Sequence, residues 1–321
     1  MVELDSKDSM ILLELDEDSR KSASKIAKNL KLSQDVVNYR IKQFEKEGII
    51  KGYISIIQFF KLGYSIFKIN LQFQHLPKEK HDEIIYFFSS HKEVNWVAEA
   101  NGHWDLIITF IVPQITIFED IKNEFFSKYS NFVSNKNISM MTQYRTSPRT
   151  YLIQNKKHAK KPLIVKLNKI NLPVLDNIDQ KLIKEVSING RISIIDLANK
   201  LNVSPRIANY RFERLRKEGI IMGSRVSLDL EKIGYKFFKA FIYLENASEK
   251  RREALLDFCD EHPNIIHSVV DLGDWDFEAE FEVKSNEEFH KIISFMRSNF
   301  SDIIKTVETV LISKEHKLHY F

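Results

Sequence analysis

The segments LSQDVVNYRIKQFEKEGII at residues 32–50 and VSPRIANYRFERLRKEGII at residues 203–221 repeat one pattern 171 residues apart. In each, a serine precedes apolar residues at helical spacing, Val37, Ile41 and Phe44 in the first and Ala208, Phe212 and Leu215 in the second, and the run stops at Gly48 or Gly219. The hydroxyl of Ser33 or Ser204 can accept a bond from an exposed amide of the helix that follows. Leu32 with Val37, and Val203 with Ala208, have the spacing of a hydrophobic staple. Pro205 stands at a first helical position, where its missing N–H costs nothing.

Upstream, Leu4, Ile11, Leu12 and Leu15 form one helical stripe. Ala23, Ile26, Ala27 and Leu30 form a second, matched by Ile194, Leu197, Ala198 and Leu201. A support helix followed by two short helices and a tight turn is the helix-turn-helix arrangement, whose last helix can enter a major groove. The β-rich segments 49–57 and 220–228 are expected to form a two-stranded wing in each copy.

Residues off the buried stripe near the start of that last helix are the candidate DNA contacts. They are Ser33, Gln34, Asn38, Tyr39 and Lys42 in the first copy, and Ser204, Arg206, Asn209, Tyr210 and Arg214 in the second. Asparagine can pair bidentately with adenine, arginine can reach guanine or phosphate, and tyrosine can donate to phosphate or pack on a sugar. Asp35 and Glu213 would repel phosphate unless turned away. The second head, with Arg206, Arg211, Arg214, Arg216 and Lys217 on one helix, is therefore expected to bind more strongly. The alternative for the whole set is a polar face that meets only water. For Arg40 and Arg211 it is an ion pair within the module.

The displacement of 171 extends over the rest of the chain. It carries Leu4-Asp5 and Asp8 onto Leu175-Asp176 and Asp179, and Gly63-Tyr64 onto Gly234-Tyr235. It also carries Gly102-His103-Trp104-Asp105 onto Gly273-Asp274-Trp275-Asp276. Of nine glycines, eight form four such pairs, so the same turns are built twice in a glycine-poor chain. From Gly63 onward the pattern alternates, with Phe67, Ile69, Leu71 and Phe73 on one face of a strand, and the segments that follow read β-α-β-β-α-β. That order predicts an α+β chain in which each winged helix-turn-helix is followed by a ferredoxin-like sandwich with one uncovered sheet face.

Segmentation follows from the repeat: heads at 1–60 and 171–231, sandwich domains at 61–150 and 232–321, and a linker at 151–170. The linker holds six basic residues and no acidic one, on Lys156, Lys157, Lys160, Lys161, Lys166 and Lys169. It reads as a solvated spacer or as a track for nucleic-acid phosphates. Where the first sandwich has Ile107, Thr109 and Ile111, the second has Glu278, Glu280 and Glu282. Three carboxylates cannot be buried unpaired, so this face meets water or lysines such as Lys68 and Lys239. Two sheets are expected to pack face to face, within a chain or between chains.

The whole chain, 321 residues at 43% hydrophobic and 29% charged with a net charge of +4, has the composition of an ordinary soluble protein. The lone cysteine, Cys259, excludes an intramolecular disulfide and a Cys-rich zinc site. Apolar runs such as 106–112 are too short to span a bilayer, and the acidic start is unlike a signal peptide, so a cytoplasmic protein is expected. His316 and His319 lack further ligands at metal spacing, and no glycine-rich phosphate loop is present.

Leu4-Asp5-x-x-Asp8, Ile26-Ala27, Leu32-Ser33, Arg40-Ile41, Gly48-Ile49-Ile50 and Gly102-x-Trp104-Asp105, most of them recurring in copy two, make the chain resemble the leucine-responsive regulatory protein/AsnC (feast/famine) family of transcription regulators. The resemblance implies an N-terminal winged helix-turn-helix on double-stranded DNA and an oligomerising C-terminal domain that responds to a small molecule, often an amino acid. It places the effector near Gly102, Trp104 and Asp105, and near Gly273, Trp275 and Asp276. Equally, Gly-x-Trp-Asp reads as a strand connection whose Trp fills the core and whose Asp caps the turn. The expected function is a sequence-specific, non-enzymatic DNA-binding regulator with no cofactor. One rival is a siroheme decarboxylase-like enzyme, with His267 where a catalytic histidine would be sought but Trp96 at the equivalent place in copy one. The other is an architectural DNA-binding protein of low sequence specificity.

Overall fold

The computed structural model describes residues 2–153, 162–168 and 172–318. The first head comprises α1 (Ser6–Glu17), α2 (Ala23–Leu30), α3 (Gln34–Lys46) and β1 (Ile50–Ile57). Its helices start where the sequence places their caps: Asp5 accepts the amide of Asp8 at 2.7 Å while Asp8 accepts that of Asp5 at 3.0 Å, and Ser33 accepts the amide of Val36 at 3.3 Å. The first half-barrel follows as β2 (Ser65–Phe73), α4 (Lys78–Ser90), β3 (Val94–Gly102), β4 (Leu106–Val112), α5 (Ile115–Tyr129) and β5 (Val133–Thr146). After the short β6 (Leu163–Lys166) the second head repeats the first as α6 (Asn177–Ile188), α7 (Ile194–Leu201), α8 (Pro205–Lys217) and β7 (Ile221–Leu228). The second half-barrel is β8 (Lys236–Leu244), α9 (Glu249–Glu261), β9 (Ile265–Leu272), β10 (Phe277–Val283), α10 (Asn286–Asn299) and β11 (Ile304–Leu318).

Neither head has a wing of its own. Each copy supplies one strand, and β1 pairs antiparallel with β7, Tyr53 opposite Val226 and Ser55 opposite Ser224. A lone strand leaves a row of unpaired N–H and C=O groups, and the strand of the other copy satisfies them. The exchange reaches the cores. Val226 and Leu228 of β7 are buried against Ile11, Leu12 and Phe44 of the first head, while Ile56 and Ile57 of β1 are buried against Leu182, Val186 and Leu215 of the second.

The sheets likewise meet differently from the face-to-face packing expected of them. Each copy arranges its four strands with the first between the last and the third: β5-β2-β4-β3 and β11-β8-β10-β9. The two sheets then join edge to edge, β3 to β11 and β5 to β9, closing an eight-stranded barrel with α4, α5, α9 and α10 packed on its outside. Closure leaves no open edge among the eight strands, and the faces expected to be uncovered become the barrel lining. β6, inside the segment expected to be a linker, adds to β5 with Tyr144 opposite Val165. Of the linker lysines, Lys166 is exposed, and Lys156, Lys157, Lys160, Lys161 and Lys169 lie outside the described residues.

Gly102 shows why the repeated glycines matter. Its φ is +145°, and a Cβ there would stand 2.6 Å from the carbonyl oxygen of Thr309 across the β3–β11 seam. At Gly273, beside the other seam, a Cβ would stand 2.8 Å from that of Ser139.

Candidate nucleic-acid interface and interior chamber

On α3 and α8 the stripe toward the core is Val37, Ile41 and Phe44, or Ala208, Phe212 and Leu215, all buried. The opposite side carries most of the candidate contacts. Gln34, Tyr39, Lys42, Arg206, Asn209 and Tyr210 are exposed, with Tyr39 and Tyr210 both at 68%, and Asn38 is half-buried. Ser33 and Ser204 are occupied as caps. Arg214 differs from the others. It turns back to α6, 2.5 Å from Asp179, so its charge is spent inside the head. Arg206 makes no ion pair among the described residues, whereas Glu213 is 3.2 Å from Arg216.

Arg40 and Arg211 are ion-paired inside their heads. Arg40 binds Asp5 at 2.8 Å and also Asp8, and Arg211 binds Asp176 at 2.7 Å and Asp179 at 2.9 Å. The amide of Asp8 and then Arg40 hold the Asp5 carboxyl below its ordinary range, and the amide of Asp179 and then Arg211 do the same for Asp176. Each of these two helices is also held by the other copy: Lys61 Nζ donates to the Glu218 carbonyl at the end of α8, and Lys232 Nζ to the Glu47 carbonyl at the end of α3, both at 2.7 Å. Sequence reasoning missed this pair, although the displacement of 171 carries Lys61 onto Lys232.

In the loops expected to meet an effector, the side chains make contacts within the barrel. Trp104 and Trp275 point into the barrel, 3% and 1% exposed, with ring centroids 6.2 Å apart. Asp105 accepts the amide of Phe73 at 2.7 Å, and Asp276 that of Leu244 at 2.8 Å. Gly102 and Gly273 sit at the seams already described, and none of the six residues lines the chamber below.

The carboxylates of β10 meet lysines. Lys68 and Lys239, equivalent residues of the two copies, both bind Glu278, and Lys239 also binds Glu280 at 2.9 Å. Burial opposes ionisation of Glu278, but the two ammonium groups overcome it and hold this carboxyl down to about 2. Asp271, beside them, goes the other way: burial and then the charge of Glu278 push it up to about 7. Glu282 receives Arg149 at 2.8 and 2.9 Å and also the Tyr151 hydroxyl. Arg149 and Arg225 both reach Asp16 of α1, each at 2.6 Å, so one buried network ties the first head to the ribbon and the barrel. Asp16 and its arginines were not read from the sequence; the signal was a charge next to the buried Leu15.

Between the β1–β7 ribbon and the barrel lies a chamber lined by residues from all eight barrel strands. It contains about 1150 Å³ of atom-free space, solvent at its mouth included. Ile54, Ile56, Val226 and Leu228 roof it. At the β5–β9 seam the Tyr144 hydroxyl and His267 Nδ1 are 2.7 Å apart with the rings stacked. At the β11–β3 seam Trp96 Nε1 donates to Glu315 at 2.9 Å. Elsewhere, His316 is bonded to Glu99, and His319 lies outside the described residues.

Residues 4–51 and 175–222 each match the winged helix-turn-helix DNA-binding family. The regulatory protein AsnC of Haemophilus influenzae is 24% identical over 137 residues, 43% of this chain and 90% of that protein. An HTH-type transcriptional regulator of Pyrococcus furiosus, described as uncharacterised, is 34% identical over 125 residues, 39% of this chain and 82% of the relative. These relatives are about one unit long. Among solved structures, the siroheme decarboxylase NirDL aligns at a TM-score of 0.62 and 14% identity over 98% of this chain and 93% of that one, a likeness of fold alone.

Proposed function

From the premise that this chain belongs to the leucine-responsive regulatory protein/AsnC family of transcription regulators, as a tandem duplicate, we propose that it is a sequence-specific DNA-binding regulator acting through both recognition helices of one polypeptide. The observation that carries this reading is the outward presentation of two helices, with Tyr39 and Tyr210 equally exposed beside a half-buried Asn38 and an exposed Asn209, fixed by an exchanged ribbon and reciprocal lysine caps. Base edges are read by Asn38, Asn209 and Arg206, while Lys42 and the tyrosines contact the backbone; Arg214 supports its own head instead. Each half-barrel is read as ferredoxin-like, and the pair replaces the subunit pairing that single-unit chains need. Small-molecule control belongs to the same reading.

Selection of duplexes from a random pool, followed by titration at several salt concentrations, tests this proposal. A regulator enriches a defined site and binds it at least a thousand-fold more tightly than random DNA, on the order expected of specific readers. Equal affinity for selected and random duplexes would replace it by the architectural reading.

The whole-chain likeness to NirDL, together with His267 in the chamber wall, supports a second reading as a siroheme-type decarboxylase. Opposed to it, the chamber cations are already matched by carboxylates, which leaves little to hold a polycarboxylate. Absorbance spectra after siroheme addition separate the two readings.

A further inference from the structure

The chamber under the ribbon is a better candidate for the controlling ligand than the Gly-x-Trp-Asp loops, and its walls specify a chemistry. Its lysines and arginines are paired with carboxylates of the barrel strands or with Asp16 of α1. A charged ligand would have to break one of those buried pairs, at a cost that its own contacts would need to exceed. What remains is aliphatic roof and planar ring: Ile54, Ile56 and Leu228 above, Trp96, Phe237 and the Tyr144–His267 stack at the sides. One polar atom there lacks a partner, Asn95 Oδ1, which is buried and lines the chamber. A single N–H or O–H donor on the ligand would satisfy it.

We propose that the chamber receives one uncharged aromatic molecule per chain, bearing a hydrogen-bond donor for Asn95, and that its occupancy alters the seating of the ribbon that carries both heads. This rests on the regulator reading for its purpose, not for its binding. The two seams differ in chemistry, so a ligand has one preferred orientation and the stoichiometry is one per chain rather than two. Because the roof strands complete the head cores, a ligand that lifts or grips the roof changes the relative placement of α3 and α8.

The experiment is a fluorescence titration of the full chain with N-phenyl-1-naphthylamine, an uncharged aryl amine with one N–H. The expected result is saturable binding at one probe per chain, displaced by indole. Zwitterionic tryptophan and iron uroporphyrin displace it at least a hundred-fold less well. Ser227→Trp, on the half-buried edge of the roof, and Ile54→Trp each weaken binding at least ten-fold while circular dichroism stays unchanged. Anomalous scattering from 4-iodophenol, an aromatic with one O–H donor, in crystals of the native chain gives a second readout, with a peak expected beneath the ribbon. Non-saturable binding, better displacement by tryptophan or the porphyrin, or an iodine peak elsewhere overturns the proposal. Saturating probe is also expected to change affinity for a selected duplex at least three-fold, and an unchanged affinity overturns the coupling to the ribbon. A chain that binds no DNA sinks the regulator reading instead, while the probe titration still decides the chamber.

Discussion

At one seam of the barrel Tyr144 meets His267, and at the other the equivalent positions present Glu315 to Trp96. The same divergence runs through the interior. Lys68 and Lys239 are retained in both halves, yet the carboxylates that hold them stand in the second half, where the first has Ile107 and Thr109. Two identical subunits around a two-fold axis cannot do this, because every acid introduced on one side would appear on the other. Fusing the copies removes that constraint, so one half can supply the cation and the other the counter-charge. The heads kept more of their symmetry, in caps, ion pairs and exposed tyrosines, which is consistent with a shared task on a repetitive duplex.

The sharpest way to break this comparison is at Asp16 and its equivalent, Ser187. Asp16→Ala leaves Arg149 and Arg225 buried without this carboxylate and is expected to cost about 3–5 kcal/mol in urea unfolding. Ser187→Ala removes one bond to the Lys184 carbonyl and should cost no more than about 1 kcal/mol. Equal losses would mean that the network carries no more than an ordinary contact. Next is Asp271, whose equivalent is Ala100. Its carboxyl ionises at about 7 when buried against 3.8 ordinarily, so between these values the folded chain holds more protons than the unfolded one, and stability falls as pH rises through that window. Asp271→Asn should flatten the decline in a series of melts. A slope that survives the substitution assigns it to another group.

The heads give the smaller effects. Arg206 occupies the place of Asp35, so Arg206→Ala should weaken DNA binding about five- to hundred-fold and reduce the salt slope, as loss of a contact worth roughly 1–3 kcal/mol would. Asp35→Arg should strengthen binding by the first head, measured by fluorescence anisotropy. If neither moves affinity, the helices do not read the duplex from this side. Smallest are the lysine caps: Lys61→Met and Lys232→Met should each cost about 0.3–1 kcal/mol in thermal unfolding, with the two losses alike. Unlike losses would show that the heads have diverged here too.

Much of this was legible in the chain. Capping residues, apolar spacing and paired glycines locate the helices and turns, because those effects are local. The cost of burying charge left the β10 carboxylates two partners, water or lysines such as Lys68 and Lys239, and the structure takes the second. Edge pairing was not legible, since alternation along β3 or β9 reveals which face is buried and nothing about which strand lies alongside. For that reason the sequence places a wing within each head where the structure shares one between them, and it does not disclose that the small size of Gly102 serves the seam with β11. Asp16 stayed hidden because its partners lie far along the chain, 133 residues away at Arg149 and 209 at Arg225.

The exchanged strands also bear on synthesis. Head one emerges from the ribosome first but waits for Val226 and Leu228 to close its core, 171 residues later than its own β1. At about 5–20 residues per second that is a delay of roughly 10–40 s. During that interval Ile11, Leu12 and Phe44 lack their covering strand, and the nascent chain presents apolar surface and an open strand edge that the same strand of a neighbouring chain can cover.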